Sequence, residues 1–193
     1  MAINMTKGQR VSLEKPGGGQ LTRIRMGLGW DPISTKGMFG RVKVKEVDLD
    51  ASCLVFDGNG SLIDQVWFKQ LQSTCGAIRH TGDNRTGQGD GDDESILVDL
   101  TKLPSNATCL VFTVNSFLGQ TFRDVTSASC RLVDETNGME IAKYSLADMG
   151  NHTAQVMAKV SRASGKWELT ALGLPTSGRT FVDLLPTIRP HVP

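Results

Sequence analysis

Between Asp83 and Glu94 the chain carries five acids, Asp83, Asp90, Asp92, Asp93 and Glu94, against one base, Arg85. Glycines at 82, 87, 89 and 91 free the backbone to turn tightly, so carboxylates and carbonyls of this loop can converge on one point. Left alone, such a cluster repels itself. A hard divalent cation relieves the repulsion: calcium takes about 6–8 oxygens at about 2.3–2.6 Å from carboxylates, amides, backbone carbonyls and water. Asn84 and Thr86 add oxygens nearby. Two further acidic features can join the loop. In Asp48-Leu-Asp50-Ala-Ser52 the polar residues alternate, which puts them on one side of a strand with Cα atoms roughly 6.8 Å apart, within reach of one ion. Asp31, closing Gly27-Leu-Gly-Trp-Asp31 and followed by Pro32, is expected at a strand end. Three acidic strand ends can thus meet at one pole.

Competing chemistries do not fit the spacing. Asp83 to Glu94 has the length of an EF-hand loop, but Arg85, Gly87 and Gln88 stand where acid, acid and glycine are needed. Neither GxxxxGK[ST] nor GxGxxG is present, and an acidic glycine-rich loop repels phosphate. Asp48-x-Asp50 matches the DxD of aspartyl phosphotransferases, which need a parallel α/β fold. His80, His152 and His191 are too scattered for a metal pair at helical spacing; His80 reads as structural, the other two as surface residues. Trp30, Trp67 and Trp167 read as core or edge aromatics. The bases of Arg23-Ile-Arg25 and Arg41-Val-Lys-Val-Lys45 alternate with apolar residues, as on a solvated strand face.

The elements that must position these residues are strands. Apolar residues recur with period two, and Cys109-Leu-Val-Phe-Thr-Val114 is a continuous apolar run of strand length. Asp57-Gly-Asn-Gly60, Asn137-Gly138 and Ser164-Gly165 punctuate hairpins. Successive hairpins predict an all-β chain, an antiparallel β-sandwich with long acidic metal-binding loops and a few short helical turns. Thr101-Lys-Leu-Pro104 reads as one turn, and Phe181-Val-Asp-Leu-Leu185 as a short helix that Pro186 ends, before a loosely packed tail. Cys53, Cys109 and Cys130 lie in similar strand contexts and read as core thiols; no cysteine spacing suggests zinc.

At 193 residues with no shift in composition, the chain reads as one domain over 1–193, large enough to need no disulfide or metal merely to fold. Lys and Arg number 21 against 20 Asp and Glu, a balance that excludes a nucleic-acid binder working by bulk charge. The first residues, Met1 to Lys7, carry no apolar run of signal-peptide length, and no run of about 18 apolar residues occurs. A cytoplasmic location is expected.

Gly27-Leu-Gly-Trp-Asp31, Asp48-Leu-Asp-Ala-Ser-Cys53, Val66-Trp-Phe68, His80-Thr-Gly-Asp-Asn84 and Gly87-Gln-Gly-Asp-Gly-Asp-Asp-Glu94 together resemble the TerD family of tellurium-resistance and stress proteins. Val111 to Phe122, with Gly178-Arg-Thr180, looks most like its TerZ branch. The resemblance covers almost the whole chain, leaving Ile33–Val47 and the tail after Arg189 unmatched. It implies a calcium-binding β-sandwich that works with other Ter-operon proteins, including a TerC-type membrane protein. On matching positions the implied ligands are Asp31, Asp48, Asp50, Asp83, Asn84, Asp90, Asp92, Asp93 and Glu94. The expected function is a non-catalytic, calcium-dependent module contributing to tellurite and stress resistance through partners or a membrane-associated complex. The alternatives are a metal-dependent hydrolase or tellurite-modifying enzyme using the acidic pole, and an acidic loop that only staples the fold.

Overall fold

The computed structural model describes residues 3–15, 17–36, 42–87, 91–125, 127–146, 150–163 and 165–193. Among these the strands are β1 (Ile3–Asn4), β2 (Arg10–Ser12), β3 (Arg23–Gly29), β4 (Ile33–Lys36), β5 (Val42–Lys45), β6 (Leu49–Phe56) and β7 (Leu62–Val66). They continue with β8 (Ile78–His80), β9 (Glu94–Asp99), β10 (Cys109–Ser116), β11 (Ser129–Asp134), β12 (Met139–Ser145), β13 (Ala154–Ala163) and β14 (Lys166–Thr176). Two six-stranded sheets form, in the orders β1-β12-β11-β3-β9-β8 and β2-β14-β13-β10-β6-β7, with β4 and β5 pairing as a separate hairpin. The expected β-sandwich is present, and its ladders are antiparallel except for the short parallel pair of β1 with β12.

The hairpins follow the turn signals. β6 and β7 flank Asp57–Gly60, β11 and β12 flank Asn137-Gly138, and β13 meets β14 with Ala163 opposite Lys166. The Ser164 half of that last signal lies outside the described residues. Within Ile33–Val47, left unmatched by the family resemblance, β4 and β5 pair antiparallel with Ile33 opposite Lys45, in keeping with the strand reading of Arg41–Lys45 over its described residues.

Strands β6 and β10 are buried on both faces, which is why Cys53–Phe56 and Cys109–Val114 read as apolar runs and not as alternation. Ala51, Cys53 and Val55 face the core between the sheets, whereas Leu54 and Phe56 face a second cluster outside it. The cover for that cluster is α1 (Phe181–Ile188), which buries Phe181, Leu184 and Ile188. Its first turn is held by the Asp183 carboxylate, which accepts the Arg179 and Thr180 N–H groups at 2.8 and 3.1 Å.

Two expectations for the C-terminus are corrected here. The helix runs through Pro186 to Ile188, and the tail is docked: Val192 packs against the outer cluster and the His191 carbonyl accepts Lys159 Nζ at 2.9 Å. A proline inside a helix costs ~3 kcal/mol, which the full burial of Ile188 offsets by roughly 1.5–3 kcal/mol, with a smaller contribution from the partly buried Val192. The 3-10 turn Arg189–His191 then closes the chain onto the sheet.

Candidate metal centre

The pole where β6 begins holds the acids. β6 pairs with β7 only from Cys53 onward, opposite Val66, so among the described residues the β7-facing edge of Leu49–Ser52 has no strand beside it. Glu94, the first residue of β9 in the other sheet, fills part of this gap: its Oε2 accepts the Ala51 N–H at 2.8 Å. Its Oε1 accepts the Asn84 N–H at 3.1 Å, so one buried carboxylate ties both sheets to the acidic loop.

Beside it, Asp48, Asp50 and Asp83 each place one carboxylate oxygen within 4.8 Å of the others. Asp48 and Asp50 are only 5% and 4% exposed, while Asp83 faces solvent. Asp48 Oδ1 and Asp50 Oδ2 are buried with no hydrogen-bond partner among the described residues. Burial, then the charges of Glu94, Asp48 and Asp83, pushes the Asp50 carboxyl up to about 8. Burial, then Asp83, pushes Asp48 up to about 6, with Arg85 acting in the opposite sense. Buried carboxylates without partners are costly unless something neutralises them. The group could hold a metal ion, and the partnerless oxygens fit one.

The other acids of the pole have different surroundings. Asp93 Oδ2 accepts the Trp30 N–H and its Oδ1 accepts Asn84 Nδ2, both at 2.9 Å; burial raises its pKa against the Trp30 bond. Asn84 Oδ1 accepts the Thr86 and Gly87 N–H groups, each at 3.1 Å, so its amide caps the loop. Asp92 points away, across the outer face of β3 and β11, where it pairs with Arg25 Nη1 and, at 2.6 Å, with Arg131 Nε. Asp31 is exposed beyond Trp30 and does not join the three-carboxylate group. Asp90 lies outside the described residues.

Three supporting residues carried little or no sequence signal for the site. His80, read as structural, faces Glu94 with Nε2 3.2 Å from Oε2, and its Nδ1 accepts the Gly82 N–H at 3.0 Å. Trp30 is buried, and its Nε1 donates to the Val47 carbonyl at 2.9 Å, fixing the backbone one residue before Asp48. Gly87, at φ +65°, lies against the Trp30 ring so closely that a Cβ there would overlap it. A signal did exist at Gly27 and Gly29. Alternate glycines on a strand mark a face that something approaches closely, here Asp92 over Gly27 and the Gly91 carbonyl over Gly29.

No helix among the described residues is long and apolar enough to cross a membrane. The TerD domain model matches residues 1–185. The chain is 48% identical over 184 residues to the tellurium resistance protein TerZ of Serratia marcescens, covering 94% of each chain. It is 39% identical to the stress response protein SCP2 of Bacillus subtilis strain 168, covering 96% of this chain and 98% of that one. The fold matches the crystal structure of a homologue of telluride resistance protein (TerD) from Streptomyces coelicolor A3(2), with a TM-score of 0.70 at 22% identity over 84% of this chain and 94% of that one. The chain therefore belongs to the TerD family of tellurium-resistance and stress-response proteins.

Proposed function

We propose that this protein is a calcium-binding module, one domain over 1–193, that contributes to tellurite and stress resistance in the cytoplasm without turning over a substrate. Calcium switches its association with partner proteins or a membrane-associated complex, among them other Ter-operon products and a TerC-type membrane protein. The observation that carries the reading is the pair of buried, partnerless carboxylate oxygens on Asp48 and Asp50 with Asp83 beside them. The acids are hard oxygen donors, and Asp83 comes from a loop with glycines at positive φ at 82, 87 and 91. Such a site suits calcium, which tolerates irregular coordination, better than magnesium, which demands near-octahedral geometry and gives up water reluctantly.

Isothermal titration of the metal-free protein with each ion tests the assignment. Calcium is expected to bind more tightly; equal or stronger magnesium binding refutes it. Partner capture in calcium followed by elution with chelator then separates a switching module from a mere staple, because a staple retains the same partners in both.

A further inference from the structure

We infer that the turn Phe117–Gly119, next to the acidic pole, is a calcium-gated contact for an anionic phospholipid surface. The inference rests on the calcium reading above and adds what the loaded pole touches. Phe117 and Leu118 form the tip of a tight turn and are 37% and 53% exposed. One exposed leucine means nothing, but here the apolar surface is continuous. Phe117 stacks edge-on with Phe68 at 5.7 Å, Phe68 with Trp67 at 4.7 Å, and Lys69 Nζ lies 5.3 and 5.4 Å from the Trp67 and Phe68 ring centres. Aromatic rings with a lysine ammonium over them suit the boundary between headgroups and hydrocarbon.

The turn is built onto the metal pole. The Phe117 N–H donates to the Asp48 carbonyl at 2.9 Å, Gly119 N–H to the Ser116 carbonyl at 3.2 Å, and Gln120 Nε2 to the Glu46 carbonyl at 3.1 Å. These bonds let the tip leave water without stranding the Phe117 and Gly119 amides. A two-residue knob on a turn also offers no groove in which a partner helix or strand could lie.

Charge supplies the gate. Metal-free, Asp48, Asp50 and Asp83, with Glu94 and the exposed Glu46 close by, keep the foot of the turn acidic and repel an anionic surface. One bound calcium offsets two negative charges there, and the exposed bases Lys45, Lys69 and Arg85 weaken the repulsion that remains. Calcium also retains coordination positions that a lipid phosphate or carboxylate oxygen can take.

Co-sedimentation of the full-length protein with vesicles of phosphatidylserine and phosphatidylcholine, and of phosphatidylcholine alone, tests this in calcium and in chelator. Binding is expected only with phosphatidylserine and calcium together. Phe117→Ser with Leu118→Ser should weaken it about 10-fold or more while leaving the calcium titration and the melting temperature near wild type. Leu118→Ser alone, at the more exposed position, should lose about 3-fold or more and guards against a folding defect in the double variant. Normal calcium heat without vesicle binding, equal binding to phosphatidylcholine alone, or a double variant that binds like wild type overturns the inference and leaves the calcium reading standing. A calcium-dependent doubling of mass by light scattering that the tip variants abolish assigns the turn to a second copy of the chain and overturns it too. No calcium heat at all sinks both.

Discussion

His80 Nε2 lies 3.2 Å from Glu94 Oε2, and neither side chain is exposed to solvent. Because His80 Nδ1 accepts the Gly82 N–H, the neutral ring carries its proton on Nε2, facing the carboxylate, though off the line of a good hydrogen bond. Glu94 thus collects the backbone of Ala51 in one sheet, Asn84 in the loop and His80 in the other sheet.

Removing the centre of that arrangement should be expensive. Glu94→Ala strands the Ala51 and Asn84 N–H groups, at about 1–3 kcal/mol for each buried donor left unsatisfied, roughly 2–6 kcal/mol together. For a chain of this length, that lowers the melting temperature in chelator by about 4–24 °C. His80→Phe should cost less, since it leaves Glu94 with both backbone donors. If His80→Phe is the more damaging change in thermal melts, Glu94 is not the anchor.

Calcium should separate Asp50 from Asp92. An ion that binds only the folded state adds about 2.7 kcal/mol at ~100 times its Kd. That is a rise in melting temperature of about 5–11 °C. Asp50→Asn should lose most of this rise and, freed of repulsion, be at least as stable as wild type in chelator. Asp92→Asn, which weakens the pairing with Arg25 and Arg131, should lose roughly 1.5–3 kcal/mol in chelator and in calcium alike. An Asp92 variant that loses the calcium rise while the Asp50 variant keeps it would place the ion in the glycine-rich loop instead.

Much of the frame was legible in the sequence because its signals are local. Asn137-Gly138 needs only its neighbours to make a hairpin, and the alternation of Asp48 with Asp50 follows from the pleat. What escaped depends on pairing across the fold. Asp92 looks like its neighbours Asp93 and Glu94 until Arg25, 67 residues away, and Arg131, 39 residues away, arrive on the same face. Pro186 likewise stops a helix locally, but Ile188 finds a buried site that only the packed sheet supplies. Nor could the sequence place Phe117 against the Asp48 carbonyl, a bond between the end of β10 and the start of β6.

Proton binding sets a second test. Folded Asp50 and Asp48 hold protons up to about 8 and about 6, whereas an unfolded aspartate releases its own near 3.9. The native state therefore binds more protons than the unfolded chain between these values, and metal-free stability from this pair falls as pH rises from ~4 to ~8. Asp99, pulled down mainly by the Thr101 hydroxyl, acts in the opposite direction at the acid end and does not blur this window. Calcium displaces the same protons, so its stabilisation grows as pH rises. Melts in chelator and in calcium should diverge from pH 5 to 8.5, and the divergence should shrink in Asp50→Asn. Parallel curves would show that the ion does not compete with these protons.

The last test concerns the thiols, the groups in this chain best suited to reducing a soft oxyanion. Cys53, Cys109 and Cys130 are buried strand residues, and Cys75 is exposed on the loop after β7. Burial pushes Cys109 up to about 11 and Cys130 up to about 12, and it raises Cys53 as well. The thiolate is the nucleophile, so three of the four cysteines are closed to chemistry near neutral pH both by access and by protonation. A chromogenic aromatic disulfide at pH 8 should therefore label one thiol per folded chain rapidly and the other three only after unfolding. Cys75→Ser should abolish the rapid phase. By the same argument the purified protein should reduce tellurite no faster than an equal concentration of free thiol. Two or more fast thiols would mean that the strands open far more readily than their burial implies. Saturable turnover of tellurite that survives Cys75→Ser would end the non-catalytic reading altogether.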